Sequence, residues 1–290
     1  MNRYLQLLAT LLATLMCLLT AHAQKHEYEI KVGEFNTLQV VDNANVVWRC
    51  LPDSAGYIQF YGEERFADAF ILTNNGKGTL KVQVSTEDVN DPALPTLYVY
   101  SSFLTEVKSN SALSVSAESV PPAADFKVTL IGNGRIDAGG LRCTRVSAKI
   151  ATGNGVVTLG GECHDASFAM LGTGQIRADE LEAQDVSCSI MGTGSIYTWP
   201  VEKLSTKGIG STTIYYRGTP GEIRKRGGGK LVQLEGAAAG VSPGSPSRHG
   251  VATRRPVTEE AVEEEIPDEE VIEEGVEEEE EPVTLPVRRN

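Results

Sequence analysis

The sequence predicts an all-β protein, a parallel β-helix or β-solenoid with coils of about 20 residues, followed by a disordered acidic C-terminal tail. Three observations carry this expectation: a Gly-x-Gly element at near-constant spacing, an aliphatic residue at a fixed offset after each, and alternation of apolar and polar residues in between.

The glycine pairs are Gly132 with Gly134, Gly153 with Gly155, Gly172 with Gly174, and Gly192 with Gly194; their first glycines are 21, 19 and 20 residues apart. Two residues beyond each second glycine stand Ile136, Val157, Ile176 and Ile196. A weaker copy precedes them at Ser109-Asn110-Ser111 with Leu113, and another follows at Gly208-Ile209-Gly210-Ser211 with Ile214. Between the glycines run alternating strands: Phe126, Val128, Leu130; Val146, Ala148, Ile150; Phe168, Met170; and Val186, Cys188, Ile190. A period of two inside a period near twenty has a direct meaning. One coil cannot bury its own apolar row, whereas stacked coils about 4.8 Å apart bury a continuous column. The glycines of each pair are expected at the sharp corners between strands, where φ > 0 is cheap only for Gly or Asn. Asn133 and Asn154 suit the same demand, and Thr173 and Thr193 suit a hydroxyl ladder along the corner. Unrelated hairpin turns would not keep this spacing and this offset together.

Around the repeat the chain divides into zones. Residues 1–23 read as a signal peptide: Arg3, an apolar stretch from Leu5 to Leu19, and Ala21-His22-Ala23 as the cleavage site. The alternative, a lipoprotein acylated at Cys17, would need a small residue where Met16 stands. No later segment is long and apolar enough to span a bilayer as a helix. Residues 24–108 are strand-rich, as in Thr79-Leu80-Lys81-Val82-Gln83-Val84, with one short helix expected over Glu63 to Phe70. Residues 109–220 hold the repeats. Residues 221–258 read as a low-complexity linker, with Gly227-Gly228-Gly229 and the basic Arg224-Lys225-Arg226. Residues 259–290 form the acidic tail, which lacks aromatics and so cannot bury enough surface to order itself.

Charge follows the same division. From Glu259 onward fifteen acidic residues face two arginines, so 2 − 15 = −13, the net charge of the whole chain. Everything before Glu259 sums to zero and offers no basic field for nucleic acid. Four cysteines follow the signal segment, Cys50, Cys143, Cys163 and Cys188. None forms a CxxC pair, and buried thiols are the expected state. Cys143 and Cys163 are the two that the repeat would bring together.

No catalytic constellation emerges, and no cofactor or metal is implied. Glu162-Cys163-His164-Asp165 resembles a cluster, but neighbours on a strand point to opposite faces and do not converge on one ion. The outward position after each repeat aliphatic reads Asp137, Thr158, Arg177 and Tyr197, a mixed column without paired carboxylates for acid/base work. Arg177, Tyr197 and Tyr215 are the candidate surface-binding residues. A calcium-binding nonapeptide roll needs Asp where Ile136, Val157, Ile176 and Ile196 stand.

The last repeat, Gly208-Ile209-Gly210-Ser211-Thr212-Thr213-Ile214-Tyr215-Tyr216, together with Phe35-Asn36-Thr37-Leu38 and Asn43-Ala44-Asn45-Val46, resembles the "putative auto-transporter adhesin, head GIN domain" family of Bacteroidetes-type bacteria. The resemblance covers residues 30 to 220 or so and implies an exported β-solenoid without assigned catalytic residues. The serines at Ser109 and Ser111 depart from its glycine pattern. The expected function is non-enzymatic: an adhesin-like binding or structural protein of the periplasm, outer membrane or cell surface, with envelope glycans or surface proteins as partners. A carbohydrate-active enzyme on the same fold is the alternative. A spacer whose acidic tail binds cations or a basic partner is the second.

Overall fold

Residues 25–234 and 288–289 are described in the computed structural model of the protein. The expected signal peptide, residues 235–258 of the expected linker and the acidic tail up to residue 287 lie outside the described residues.

Strands β1 (His26–Lys31), β2 (Thr37–Val40), β3 (Val46–Cys50), β4 (Tyr57–Gly62), β5 (Phe70–Asn74), β6 (Thr79–Val84), β7 (Leu97–Ser101), β8 (Glu106–Ser109) and β9 (Ser114–Glu118) build the N-terminal part. Then come β10 (Ala123–Ile131) and the long bent strands β11 (Arg135–Thr152), β12 (Val156–Gly172), β13 (Gln175–Gly192) and β14 (Ser195–Ile209). The series ends with β15 (Thr213–Tyr216), β16 (Glu222–Gly227), β17 (Lys230–Gln233) and β18 (Arg288–Arg289), the last paired antiparallel with β1. The expected helix over Glu63 to Phe70 is a single 3-10 turn, Glu64–Phe66, because the chain must extend again at Phe70 to pair with β6.

The repeats stack in parallel register and form a β-solenoid. On one wall, called B here, Leu97, Val46, Val115, Ile136, Val157, Ile176, Ile196, Ile214 and Leu231 align in a single column. Ile136, Val157, Ile176 and Ile196 are 0% exposed and Ile214 is 4% exposed, so the predicted aliphatic spine is the core. Wall A carries the other alternating segments. There Phe168 lies between Ala148 and Cys188, so a large side chain fills the room that two small ones leave. A short wall C joins B back to A through Leu141–Cys143, Gly161–Cys163, Leu181–Ala183 and Trp199–Pro200, with Leu141, Cys143, Cys163, Leu181, Ala183 and Pro200 inward.

The N-terminal zone is both solenoid and cap. β2 lies between β6 and β8, and β3 lies between β7 and β9, so the first coil in sequence is the second in space. The intervening chain makes β4 and β5, which pair antiparallel with their neighbours and close the end of the stack. Aromatic side chains seal that end: Tyr28 stacks on Phe60 at 4.8 Å and Phe60 meets Phe70 edge-on at 5.2 Å. Solenoids need such atypical end units to cover the terminal core.

The corners correct the expectation that both glycines of a pair, and the asparagines between them, answer a demand for positive φ. Gly132, Gly153, Gly172, Gly192 and Gly210 have positive φ, whereas Gly134, Gly155, Gly174, Gly194 and Gly208 do not, and neither do Asn133 and Asn154. Instead, Asn154 N–H donates to Asn133 Oδ1 at 3.0 Å, and Thr173 Oγ1 donates to the Gly153 carbonyl at 3.3 Å. The second glycines are required by space. At Gly134 an added Cβ would collide with the backbone carbonyl of Ser111 in the preceding coil. Gly134 is thus a close-packing residue, and its own carbonyl accepts from Val156 N–H at 3.0 Å to hold the next coil. At Gly155 and Gly194 a Cβ would strike Leu130 and Met170, inward side chains of wall A that fill the corner. At Gly174 it would meet the Gly155 carbonyl and crowd Ile150.

Register also moves the two weak copies by two residues. Val115 pairs with Ile136, so the first corner is Ser111-Ala112-Leu113, and Ser109 occupies an inward wall A position opposite Leu130. Ser111 Oγ bridges to the Ala44 backbone and accepts from Leu113 N–H at 3.0 Å, replacing glycine with a bonded hydroxyl. At the other end Ile209 pairs with Met191. The corner is therefore Gly210-Ser211-Thr212, and Gly208 stands at an inward position opposite Ile190.

The expected linker boundary at residue 221 is corrected as well. β16 and β17 add a further coil through Gln233, hydrogen-bonded to β14 and β15 although the side chains of β16 are exposed. Backbone pairing suffices because the underlying strands present a free edge. The basic Arg224, Lys225 and Arg226 on this outermost strand discourage further edge-to-edge addition.

Candidate functional site

Two outer surfaces carry the residues that could bind a partner. On wall B the outward column reads Asp137, Thr158, Arg177, Tyr197, Tyr215 and Val232, each paired with the next coil's member. Its first part is self-satisfied: Arg135 pairs with Asp137 at 2.7 Å and donates to Thr158 Oγ1 at 3.3 Å. Its second part is an aromatic platform. The Arg177 guanidinium lies over the Tyr197 ring at 5.4 Å, and Tyr197 stacks on Tyr215 at 4.6 Å with the rings 10° apart. The three candidate surface-binding residues are therefore brought together by coil stacking, side by side along the solenoid axis. Such a stack offers flat apolar faces, phenol hydroxyls and one cation.

Around the corner, wall C bears a second column: Arg142, Glu162, Glu182 and Trp199 pair in succession. Beside it lies a hollow of about 460 Å³ whose lining includes Ser119, Pro121, Gly140 and Trp199. A second hollow of about 840 Å³, with Thr144, His164 and Gln184, shares Arg142, Glu162 and Glu182 with the first. The groove ends at Trp199 because the last long coil is cut short. Thr198 pairs with Ala178 and Trp199 with Glu182, so Asp179-Glu180-Leu181 have no counterparts. Such register irregularities bend strands and shape surface hollows. Arg217 backs the indole at 5.0 Å and is itself anchored by donating to the Asp179 carbonyl at 2.8 Å. Sequence reasoning missed this column. Its signal was present, since Arg142, Glu162 and Glu182 follow one another at 20 residues, the repeat period itself.

The Glu162-Cys163-His164-Asp165 segment splits as alternation requires. Cys163 points into the core, while Glu162 and His164 are exposed. His164 Nδ1 lies 3.3 Å from Asp165 Oδ1. Among the described residues no group of three or more His, Cys, Asp or Glu side chains is arranged to hold a metal ion.

Cys143 and Cys163 are register partners in adjacent coils, and all four described cysteines are free. Burial pushes the Cys163 thiol up to about 12 and raises Cys143 and Cys188 as well. A raised thiol pKa leaves little thiolate at pH 8, and thiolate is the reactive form. In the folded protein at pH 8, a disulfide reagent is expected to modify half-buried Cys50 first and leave Cys188 untouched until denaturant is added. Equal reaction rates at all four would contradict the buried placement.

The chain matches the family described as "Putative auto-transporter adhesin, head GIN domain" over residues 34–220. Among solved structures it is similar to a putative adhesin from Bacteroides fragilis, with 22% identity, TM-score 0.66, and 73% of this chain and 98% of that one covered. A putative lipid binding protein from Parabacteroides distasonis shares 21% identity at TM-score 0.54, with 73% and 98% covered. A putative adhesin from Parabacteroides merdae shares 18% identity at TM-score 0.53, with 73% and 97% covered. At these identities the structures bear on the fold alone. Curated proteins give no match. With more than half of its length matched and the repeat geometry in place, the chain belongs to the auto-transporter adhesin, head GIN domain family.

Proposed function

We propose that the protein is an exported, non-enzymatic binding protein of the cell envelope, which attaches through wall B to an extended surface ligand, an envelope glycan or a surface protein. The stack of Arg177, Tyr197 and Tyr215 carries this reading. Three coils present planar groups at the inter-strand spacing, so a polymer lying along the axis meets them in sequence. Flat aromatic faces pack against apolar ligand surfaces, and the hydroxyls and guanidinium supply directional hydrogen bonds. The family membership supports the same reading.

The test is a glycan-array and envelope pull-down screen with the chain from Gln24 onward, run beside Tyr197→Ser/Tyr215→Ser. The double variant is expected to lose at least tenfold in affinity, about 1.4 kcal/mol, with an unchanged melting curve. Full retention of capture by that variant would remove the platform from the function. Removing residues 259–290 separates the tail reading: capture is expected to persist, and its loss would transfer the activity to the acidic tail.

A further inference from the structure

We propose that the wall C groove is a second binding site, for saccharide chains bearing free amines. It stands apart from the wall B reading and survives its failure.

Two observations point there. First, Glu162 and Glu182 are direct register partners on adjacent strands, both exposed. Like charges directly opposite each other destabilise a sheet. On the same strands Asp165 and Asp185 are also register partners, but Arg145 and Lys203 flank them in the adjoining coils; elsewhere Arg135 pairs with Asp137, Arg145 with Asp125, and Arg177 lies 4.0 Å from Asp179. Among the described residues, Arg142, Glu162 and Glu182 have no side-chain ion pair or hydrogen bond. A repulsive pair left unneutralised breaks a local rule, and such departures concentrate at functional positions.

Second, the pair lies between two hollows, and the indole of Trp199 closes the column at the next coil. The lining spans five coil levels, from Ser119 through Gly140, Gly161 and Glu182 to Trp199. Four inter-strand steps of about 4.8 Å give a groove about 19 Å long. That length suits an oligomer better than a single small molecule. An indole packs on the C–H face of a sugar ring, and carboxylates accept hydrogen bonds from its hydroxyls and pair with an ammonium group. Two carboxylates against one guanidinium leave the groove negative, which favours amino sugars over uronic acids.

The acidic tail would attract the same polycation, so the readout must be local. Trp199 supplies it. The chain has two tryptophans, and Trp48 is fully buried with its indole N–H bonded to Ser101 Oγ at 2.8 Å. Titration of the protein with a glucosamine oligomer, in physiological salt with EDTA present, is expected to change tryptophan emission saturably. Glu162→Gln and Glu182→Gln should each weaken that titration at least tenfold while leaving the melting temperature equal or higher, because the repulsion is relieved. Trp199→Phe should abolish the signal, and Tyr197→Ser/Tyr215→Ser should leave it unchanged. The proposal is overturned by emission that does not respond, by unaltered affinity in the two glutamine variants, or by an oligogalacturonate that titrates as tightly.

Discussion

Ile176→Asp is expected to lower the melting temperature by about 10 °C or more, or to abolish the cooperative transition altogether. Ile176 sits at 0% exposure between Val157 and Ile196, in a column that runs the length of the solenoid. Truncating such an aliphatic costs about 2–5 kcal/mol. The new carboxyl finds only aliphatic neighbours in the column above and below, and an unsatisfied buried polar group costs roughly 1–3 kcal/mol more. Domains of this size shift by about 2–4 °C per kcal/mol, which gives the expected drop. The pH dependence has a definite sign. Burial raises the folded-state pKa of the new carboxyl above its unfolded value near ~3.9, so the folded state binds the extra proton. Stability then falls as pH rises through that window, and the variant should melt higher at pH 4 than at pH 8, measured against the parent at each pH. The same substitution at Ile223, 42% exposed on the terminal coil, is expected to stay within about 0.5 kcal/mol. If Ile176→Asp melts like Ile223→Asp, the column is not the core.

The column was legible from the sequence because it rests on periodicity alone. Ile136, Val157, Ile176 and Ile196 keep one offset from their glycines, and parallel stacking forces equal offsets into one line. What the sequence hid is register wherever the marker residue is lost. Ser109 and Gly208 look like corner residues beside Ser111 and Gly210, yet inter-strand pairing places both on wall A. A two-residue slip keeps every side chain on its proper face, so alternation cannot detect it. The swapped order of the N-terminal coils was hidden for a related reason. β6 and β7 alternate like any strands, and only their partners β2 and β3 show that the chain returns beneath its own start. The division of labour within each glycine pair was hidden too. Gly132 and Gly134 look equivalent in sequence, but one bends the chain and the other admits the neighbouring coil's backbone.

The candidate surfaces divide along the same line. The wall B stack could be anticipated because Arg177 and Tyr197 stand one place beyond the repeat aliphatics, at a fixed position in each coil. Trp199 could not. It lies 17 residues after Glu182, and only the missing counterparts of Asp179-Glu180-Leu181 bring it into that column. Irregular coils therefore carry information that a search for regularity discards.

Gly192→Ala separates the two roles of glycine more sharply than any other single change. Gly192 has φ +136°, far from the region that L residues visit, and holding a side chain there costs about 1–3 kcal/mol. An added Cβ would also strike the carbonyl of Gly172 in the coil below, which accepts a hydrogen bond from Thr193 N–H at 3.1 Å. Relief requires moving one coil against the next, and that disturbs the bond and the adjoining ladder. A loss of roughly 3 kcal/mol or more is expected, equivalent to about 6–12 °C in melting temperature. Coil interfaces contribute locally in a solenoid, so hydrogen exchange should quicken first around Gly172 to Ser195 and only weakly in the N-terminal cap. Gly139 is the matched control. Its φ is not positive and nothing lies within 4 Å of its added Cβ, so Gly139→Ala should be neutral or gain about 0.4–1 kcal/mol by restricting the unfolded chain. Equal losses at both positions would mean that chain flexibility, rather than the close approach of stacked corners, governs where this protein needs glycine.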